Sequence, residues 1–128
     1  MTLLGKAFED YVAVLLKERF SDYSLFIQHK LDSGLIPDFV LEYDEKKIVV
    51  DAKDKQCLTK SDVNQICEYM EEIDAEYGIL YVAESTKVSE TVEDFAIINA
   101  VEVEYTNWKS KSFTPEILLS RSIGSENL

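Results

Sequence analysis

The sequence predicts an α/β domain, a three-layer sandwich in which helices flank a mixed sheet of four or five strands. Three observations support this fold class. A stripe of apolar residues at helical spacing opens the chain, and two alternating segments joined by a short turn follow it. The nearly continuous apolar run Tyr77–Val82 is typical of a strand that is buried on both faces. Together they predict that helices cover both sides of one sheet.

The individual elements follow from local patterns. The first helix is predicted where apolar residues recur every three or four positions, and the first strand ends at the turn Asp32-Ser33-Gly34. Thr59 with Asp62 resembles a capping box that opens the second helix, which ends before Gly78, and Ser89 caps the third. The predicted order is helix, three strands, helix, strand, helix, strand. In that order, the predicted segments are Leu4–Phe20, Leu25–Lys30, residues 35–43, residues 47–53, the segment after Thr59, Tyr77–Val82, the segment after Ser89, and Val101–Tyr105.

Length and composition predict one folded domain over residues 1–128, with a core over residues 5–105 and a tail over residues 106–128. Hydrophobic residues make up 46% of the chain, which excludes a disordered protein. No apolar run approaches the roughly 20 residues of a membrane helix. The two cysteines fit no metal-binding spacing. We therefore expect a cytoplasmic protein with free thiols.

The formal charge of −12 counts against a long DNA footprint, because proteins that hold nucleic acid through its phosphates carry a basic surface. Binding of nucleic acid is still compatible with this charge if metal ions screen the binding site and the lysines gather on one side. Five lysines fall within fifteen residues, and they are either such a patch or scattered, solvated side chains. They are Lys46, Lys47, Lys53, Lys55 and Lys60.

The segments around Asp38 and Asp51 carry the main functional prediction. A loop of two or four residues near Tyr43–Lys46 pairs positions whose numbers sum to 89, which puts Asp38 opposite Asp51. Since side chains alternate between faces, Lys53 joins both acids on one face. Facing acids destabilise a ladder unless something compensates their charge, and a divalent cation is the natural candidate.

These residues resemble the motif of the PD-(D/E)XK nuclease superfamily, which has the restriction-endonuclease-like fold. The motif stands here as Pro37-Asp38, then twelve residues, then Asp51-Ala52-Lys53. Glu9 on the opening helix and Gln65-Ile-Cys-Glu-Tyr69 on the helix after the motif match two accessory features. The similarity spans residues 5 to about 82 and is nearest to small archaeal Holliday-junction-resolvase-like and RecB/Cas4-like nucleases.

The resemblance implies a Mg²⁺- or Mn²⁺-dependent deoxyribonuclease that hydrolyses phosphodiester bonds. Asp38, Asp51 and the carbonyl of Ala52 are the implied metal ligands, and Glu9 is implied to help hold a metal or its water. Lys53 is implied to orient the attacking water or to neutralise the transition state.

Further roles on the second helix and after the motif also follow from the resemblance. Gln65 is implied to line the catalytic site, and Tyr69, four residues along the same helical face, to contact the substrate; Tyr69 can alternatively pack against the sheet. Lys55 is assigned to DNA binding. The four cysteines that hold an iron–sulfur cluster in Cas4-like members are missing, so no cluster is expected.

Three other side chains are not favoured as active-site residues. His29, the only histidine, is expected at a strand edge. Trp108 beside Lys109 could stack on a base, but packing over the core or a dimer contact is favoured. Glu42 lies about 13 Å from Asp38 at the rise of a strand, too far for the same metal.

Two alternative functions stay open. The chain could be a nuclease-like interaction module that binds a basic protein partner through its acidic surface. It could also be an unrelated α/β domain whose motif acids are plain surface residues. A homodimer is expected, because a small nuclease gains phosphate contacts and a second cutting site by pairing. The tail offers an apolar surface for this contact at Phe113, Ile117, Leu118 and Leu119.

Overall fold

A computed structural model of the chain describes residues 3–109. It confirms the predicted α/β class, with a five-stranded mixed sheet between two helical layers. The elements follow the predicted order: α1 Leu3–Arg19, β1 Ser24–Ile27, β2 Phe39–Tyr43, β3 Lys46–Lys53, α2 Lys60–Ile73, β4 Tyr77–Val82, α3 Glu90–Ile98 and β5 Val101–Tyr105.

The strands lie in the sheet in chain order, from β1 at one edge to β5 at the other. The pairs β1–β2 and β2–β3 are antiparallel, whereas β3–β4 and β4–β5 are parallel. Asp44 and Glu45 form the two-residue turn between β2 and β3, and both have positive φ, at 50° and 71°. Such left-handed turns match the twist of the flanking strands and fix their register.

The core has two halves, one on each face of the sheet. Helix α1 packs on one face, where Phe8, Val12 and Leu16 contact inward residues of β2, β3 and β4. Helices α2 and α3 cover the other face, where Val63, Ile66 and Ala96 pack against the opposite set of strand residues. Strand β4 is buried on both faces, as its apolar run predicts; the residues of its buried part are Gly78, Ile79, Leu80, Tyr81 and Val82.

Helix α2 begins at a complete capping box. Thr59 accepts a hydrogen bond from the N–H of Asp62, and the Asp62 carboxylate accepts one from the N–H of Thr59. Lys55 adds an ion pair, with its Nζ 2.9 Å from Oδ2 of Asp62. The helix ends at Ile73, and the next residue, Asp74, adopts the left-handed conformation. The start of α2 is therefore held by these three interactions in a short segment.

Gly78 at the start of β4 allows α2 to lie close to the sheet. A Cβ atom placed there would come within 2.9 Å of the Ile66 side chain and 3.0 Å of the Met70 sulfur. A larger residue at this position would force those core side chains to move. The absence of a side chain at residue 78 therefore sets how deeply α2 sits on β4.

Some features differ from the sequence prediction or extend beyond it. Strand β1 ends at Ile27 and not at Lys30, because Gln28 has a φ of 53° and leaves the extended conformation. Trp108 packs on Phe8 and Tyr11 of α1, with ring centroids 5.7 and 5.2 Å away, which is the favoured core-packing interpretation.

The dimerisation surface predicted on the tail lies outside the described residues. Within residues 3–109, no helix has the length and apolar character needed to cross a membrane.

Candidate active site

The two motif acids face each other where β2 and β3 meet the preceding loop. The register pairs Phe39 with Val50 and Leu41 with Ile48, so the predicted sum of 89 holds along the whole hairpin. Hydrogen bonds extend the pairing one step beyond the strand. The N–H of Asp38 donates to Oδ1 of Asp51 at 2.9 Å, and the N–H of Ala52 donates to Oδ2 of Asp38 at 2.8 Å. Each carboxylate is thus anchored by the opposite chain segment.

These two carboxyl groups are crowded and shielded from water. Asp51 is only 3% exposed, and Asp38 is half-buried. Burial, followed by the charge of Asp38, raises the pKa of Asp51 well above its usual range. Burial likewise raises the pKa of Asp38, although the N–H of Ala52 and the charge of Lys53 oppose that shift. Two carboxylates in this setting favour a positive charge between or beside them.

Lys53 supplies a positive charge on the same face. Its Nζ lies 3.6 Å from Oδ2 of Asp51 and donates a 2.9 Å hydrogen bond to Oε1 of Gln65. Gln65 is an exposed residue on α2, so its amide reaches the end of β3 from the helical layer. Lys53 therefore has two partners, an acid of the pair and an amide that fixes the direction of the ammonium group.

Glu9 approaches the acid pair from α1, which packs on the opposite face of the sheet. Nε2 of Gln28 lies 3.1 Å from Oε1 of Glu9 and 3.3 Å from Oδ1 of Asp38, and donates to both. Burial and then the charge of Asp38 raise the pKa of Glu9. One amide thus connects the helix glutamate with the hairpin aspartate.

Gln28 is the site residue that sequence reasoning missed. Its N–H bonds to the carbonyl of Asp38 at 2.9 Å, while its φ of 53° lies in a region that only glycine and a few polar residues enter readily. A conformation of this kind costs about 1–3 kcal/mol and persists where the surrounding structure holds it. Gln28 lies inside the alternating segment Leu25–Lys30, which gives no sequence signal for this role.

Tyr69 lies on α2 beneath the acid pair. It is 5% exposed and packs with Leu31 and Val49 in the core half that α2 covers. Burial, then the charges of Asp51 and Asp38, raises the pKa of Tyr69 to about 12. Its hydroxyl therefore keeps its proton at neutral pH. The packing interpretation of Tyr69 agrees with this position, and its proximity to both acids keeps it within the site.

Lys55, predicted to bind DNA, lies beyond the end of β3 and is paired with Asp62. Its Nζ is 2.9 and 3.1 Å from the two carboxylate oxygens of Asp62. This ion pair joins the loop after β3 to the first turn of α2. The structure brings together Asp38, Asp51, Lys53, Glu9 and Gln65, with Tyr69 below them, and gives Lys55 a bonded role at the start of a helix.

The donor set fits a hard divalent cation of the Mg²⁺ type. Over residues 3–109 no group of three or more histidine, cysteine, aspartate or glutamate side chains is arranged to hold a metal. Glu9 reaches the pair through the Gln28 amide and does not complete such a group. Mg²⁺, however, is commonly bound by one or two carboxylates, with waters and substrate phosphates as the other ligands. Asp38 and Asp51, opposed and crowded, meet that requirement.

Similar folds are found among solved structures. A crystal structure of a protein of unknown function, AF1548, matches with a TM-score of 0.62 and 15% sequence identity, over 94% of this chain and 67% of that chain. The structure of Pyrococcus furiosus SfsA in complex with Ca²⁺ matches with a TM-score of 0.52 and 14% identity. That match covers 80% of this chain and only 55% of SfsA. At these identities the likeness concerns the fold.

Family membership comes from the sequence itself. A search of curated proteins found no significant match. The family model of the PD-(D/E)XK nuclease superfamily matches residues 22–95, which is more than half of the chain and includes Asp38, Asp51, Lys53, Gln65 and Tyr69. With the sheet, the opposed acids and the adjacent lysine in place, the chain belongs to the PD-(D/E)XK nuclease superfamily.

Proposed function

We propose that this protein is a metal-dependent nuclease that hydrolyses phosphodiester bonds of DNA. The pairing of Asp38 with Asp51 carries the proposal. Two acids with reciprocal backbone hydrogen bonds, one of them 3% exposed, raise each other's cost of ionisation. An arrangement that disfavours folding in this way is understandable if the pair would hold a cation that coordinates the substrate phosphate.

Asp38, Asp51 and the carbonyl of Ala52 would hold the ion, and Mg²⁺ or Mn²⁺ suits these oxygen donors. A bound divalent cation would lower the pKa of the attacking water and stabilise the charge that develops on the phosphate. The structurally similar SfsA was solved with Ca²⁺, so another protein of this fold binds a divalent cation.

Lys53 provides the fixed positive charge of the site. Its ammonium, held by Gln65 at 2.9 Å, can hydrogen-bond to the attacking water or to a nonbridging phosphate oxygen. Because Gln65 accepts from Lys53, the ammonium keeps its remaining N–H bonds for substrate. Gln65 is thus a positioning residue for Lys53.

Glu9, Gln28 and Tyr69 complete the environment. The Gln28 amide restrains one oxygen of Asp38 and one of Glu9, leaving the second Glu9 oxygen to accept from a water molecule. Tyr69 excludes water from beneath the pair and keeps a protonated hydroxyl near substrate. These roles explain why both helical layers contribute to a site on one hairpin.

The test is a cleavage panel of single-stranded, duplex and branched DNA with Mg²⁺ or Mn²⁺. We expect the protein to cleave DNA, and we expect a chelator or the Asp51→Ala change to abolish cleavage. The control Glu42→Ala, which removes a carboxylate from the same face of the hairpin, should leave cleavage unchanged. Folded protein that cleaves none of these substrates with either ion would remove the proposal.

The formal charge of −12 favours a second candidate, a nuclease-like module that binds a basic protein. Thermal melting separates the two, because a ligand that binds only the native state raises its stability. A nuclease site predicts a melting temperature that Mn²⁺ raises in wild type but not in Asp38→Asn. An unchanged melting temperature in wild type would favour the module.

The cytoplasmic location and the homodimer also remain proposals. Size-exclusion chromatography with light scattering on the full chain would test the dimer, and a truncation after residue 109 would test whether the tail is required.

A further inference from the structure

An aromatic side chain lies on the same face of the sheet as the acid pair, at the open edge. Phe26 of β1 pairs with Val40, and Val40 pairs with Val49 on the face that α2 covers. Asp38 precedes Val40 by two residues and therefore shares that face. Phe26 and Asp38 are diagonal neighbours across an antiparallel pair, a relation that places side-chain origins about 7–8 Å apart.

Phe26 forms an exposed pair with His29. Phe26 is 39% exposed although it is a large apolar residue, and His29 is also exposed. Their ring centroids are 5.7 Å apart, with the ring planes inclined at 50°. Gln28, which bonds to Asp38 and Glu9, lies between them in sequence. The rings therefore flank the residue that connects the two halves of the site.

The surroundings of this pair favour a flat ligand recognised through its ring face. Helix α2 packs against β3, β4 and β5, and β1 is the last strand on its side of the sheet, so the outer edge of the pair is open. Leu35 and Ile36, in the segment that returns to Asp38, add apolar residues that are 39% and 45% exposed.

Electrostatics point in the same direction. A chain with a formal charge of −12 gains little from a long row of phosphates. Lys55 near the site is already bonded to Asp62, and Trp108 is packed on α1. Stacking of bases on aromatic rings does not require a basic surface and contributes to binding for every base. Only unpaired bases present such faces.

We propose that Phe26 and His29 form a stacking platform that binds the unpaired bases of single-stranded DNA beside the catalytic acids. The proposal rests on the proposed nuclease function and narrows its substrate class to single-stranded DNA or single-stranded segments of branched DNA. One base stacks on Phe26, with the imidazole of His29 at its edge. The adjoining phosphate then lies toward Asp38 and Asp51.

Binding can be measured apart from cleavage in the Asp51→Asn protein with Mg²⁺ present. The probes are a fluorescent 15-nucleotide oligothymidylate, the same length of abasic strand, and a 15-base-pair duplex. We expect the oligothymidylate to bind more tightly than both other probes. Phe26→Ala should weaken its binding about tenfold or more and leave the abasic strand unaffected, whereas Phe26→Trp should preserve binding.

Tyr43 provides the matched control. It is 48% exposed, and its ring lies 5.3 Å from that of Tyr23 at the opposite end of the β2–β3 hairpin. Tyr43→Ala should leave binding of every probe unchanged. Circular dichroism melting of each variant confirms that it is folded.

Three outcomes would overturn the platform: equal binding of the oligothymidylate by Phe26→Ala, an equal loss on the abasic strand, or dissociation of a homodimer in Phe26→Ala with DNA binding intact. The last would assign the exposed ring to a protein contact. If wild type cleaves DNA and Phe26→Ala binds and cleaves it equally well, the platform is refuted and the nuclease proposal stands. Base-dependent binding without cleavage by wild type would refute the nuclease proposal and leave the platform supported.

Discussion

The β2–β3 hairpin has two ends that use the same register in opposite ways. At the turn, Glu42 faces Lys47, so opposite charges meet across the ladder. The buried pair Val40 and Val49 lies two residues farther along each strand. Asp38 and Asp51 lie two residues beyond that pair, and there like charges meet. All six side chains lie on one face, because each pair is separated from the next by two residues.

This difference distinguishes an end that supports folding from an end for which we propose a chemical role. Opposite charges across a ladder contribute roughly 0.2–1 kcal/mol, whereas like charges in the same position are destabilising. The acid pair is also the more buried of the two, with Asp51 only 3% exposed. The strained backbone at Gln28 borders the acid end as well. Destabilising features thus concentrate where a cation and a phosphate are proposed to bind.

The largest expected effect is a difference in cleavage rate between alanine variants of two lysines of β3. Lys53 and Lys47 are on the same face of one strand, at its two ends. Lys53→Ala should lower the cleavage rate about 10²-fold or more, because it removes a positioned charge from the transition state. Lys47→Ala should change the rate less than about twofold, since surface charges far from the site contribute weakly. Single-turnover cleavage rates measure both, and equal losses would contradict the assignment of Lys53.

Gln28 should give the next largest effect. Gln28→Ala removes the amide that joins Glu9 to Asp38 and should lower cleavage or metal affinity about tenfold, as expected for groups that orient metal ligands. Gln28→Gly removes the same amide but suits the positive φ. It should be equally impaired in cleavage yet no less stable than Gln28→Ala. Recovery of activity in the glycine variant would show that the backbone, and not the amide, matters.

Asp62 tests an acid whose charge is compensated, as at the turn end of the hairpin. Burial opposes its ionisation, but bonds from Lys55 and Thr59 outweigh burial and hold its pKa below the usual value. Its contribution to folding is therefore present above about pH 4 and disappears as the pH falls through the lower folded-state pKa. Asp62→Asn should cost about 1 kcal/mol at pH 7 by chemical denaturation. The difference from wild type should shrink in acid, and a difference that grows in acid would contradict this.

The smallest effect concerns the two ends of the hairpin without metal. In the presence of a chelator, Asp38→Asn should raise the unfolding free energy by up to about 1 kcal/mol, because it removes like-charge repulsion and keeps an acceptor for Ala52. Glu42→Gln should lower the unfolding free energy by a few tenths of a kcal/mol. Chemical denaturation of both variants gives the comparison. If both variants changed the unfolding free energy in the same direction, the proposed difference between the two ends of the hairpin would be wrong.

The sequence predicted the part of the site that depends on local rules. Alternation and a two-residue turn were enough to pair Asp38 with Asp51 and to place Lys53 beside them. The pairing of the acids needs only the period of a strand, which is fixed by backbone geometry. The site role of Gln65 was implied by the family resemblance, and the structure places its amide 2.9 Å from the ammonium of Lys53.

The remaining parts depend on contacts between distant segments or on unusual dihedral angles. Gln28 sits at a left-handed position that an alternating pattern does not reveal, so the first strand was predicted three residues too long. The ion pair of Lys55 with Asp62 was hidden among neighbouring lysines. Trp108 was recognised as a packing residue, but its partners on α1 could be identified only once the fold was known.

The missing side chain at Gly78 couples the packing of α2 on the sheet to the proposed active site. Ile66 and Met70 lie against the position of its absent Cβ, and Gln65, the residue before Ile66 on α2, accepts a hydrogen bond from the ammonium of Lys53. An added methyl group would force the ends of the Ile66 and Met70 side chains to shift beneath the turn of helix that carries Gln65. We expect the orientation of the Lys53 ammonium to depend in this way on a residue that has no atom at the site.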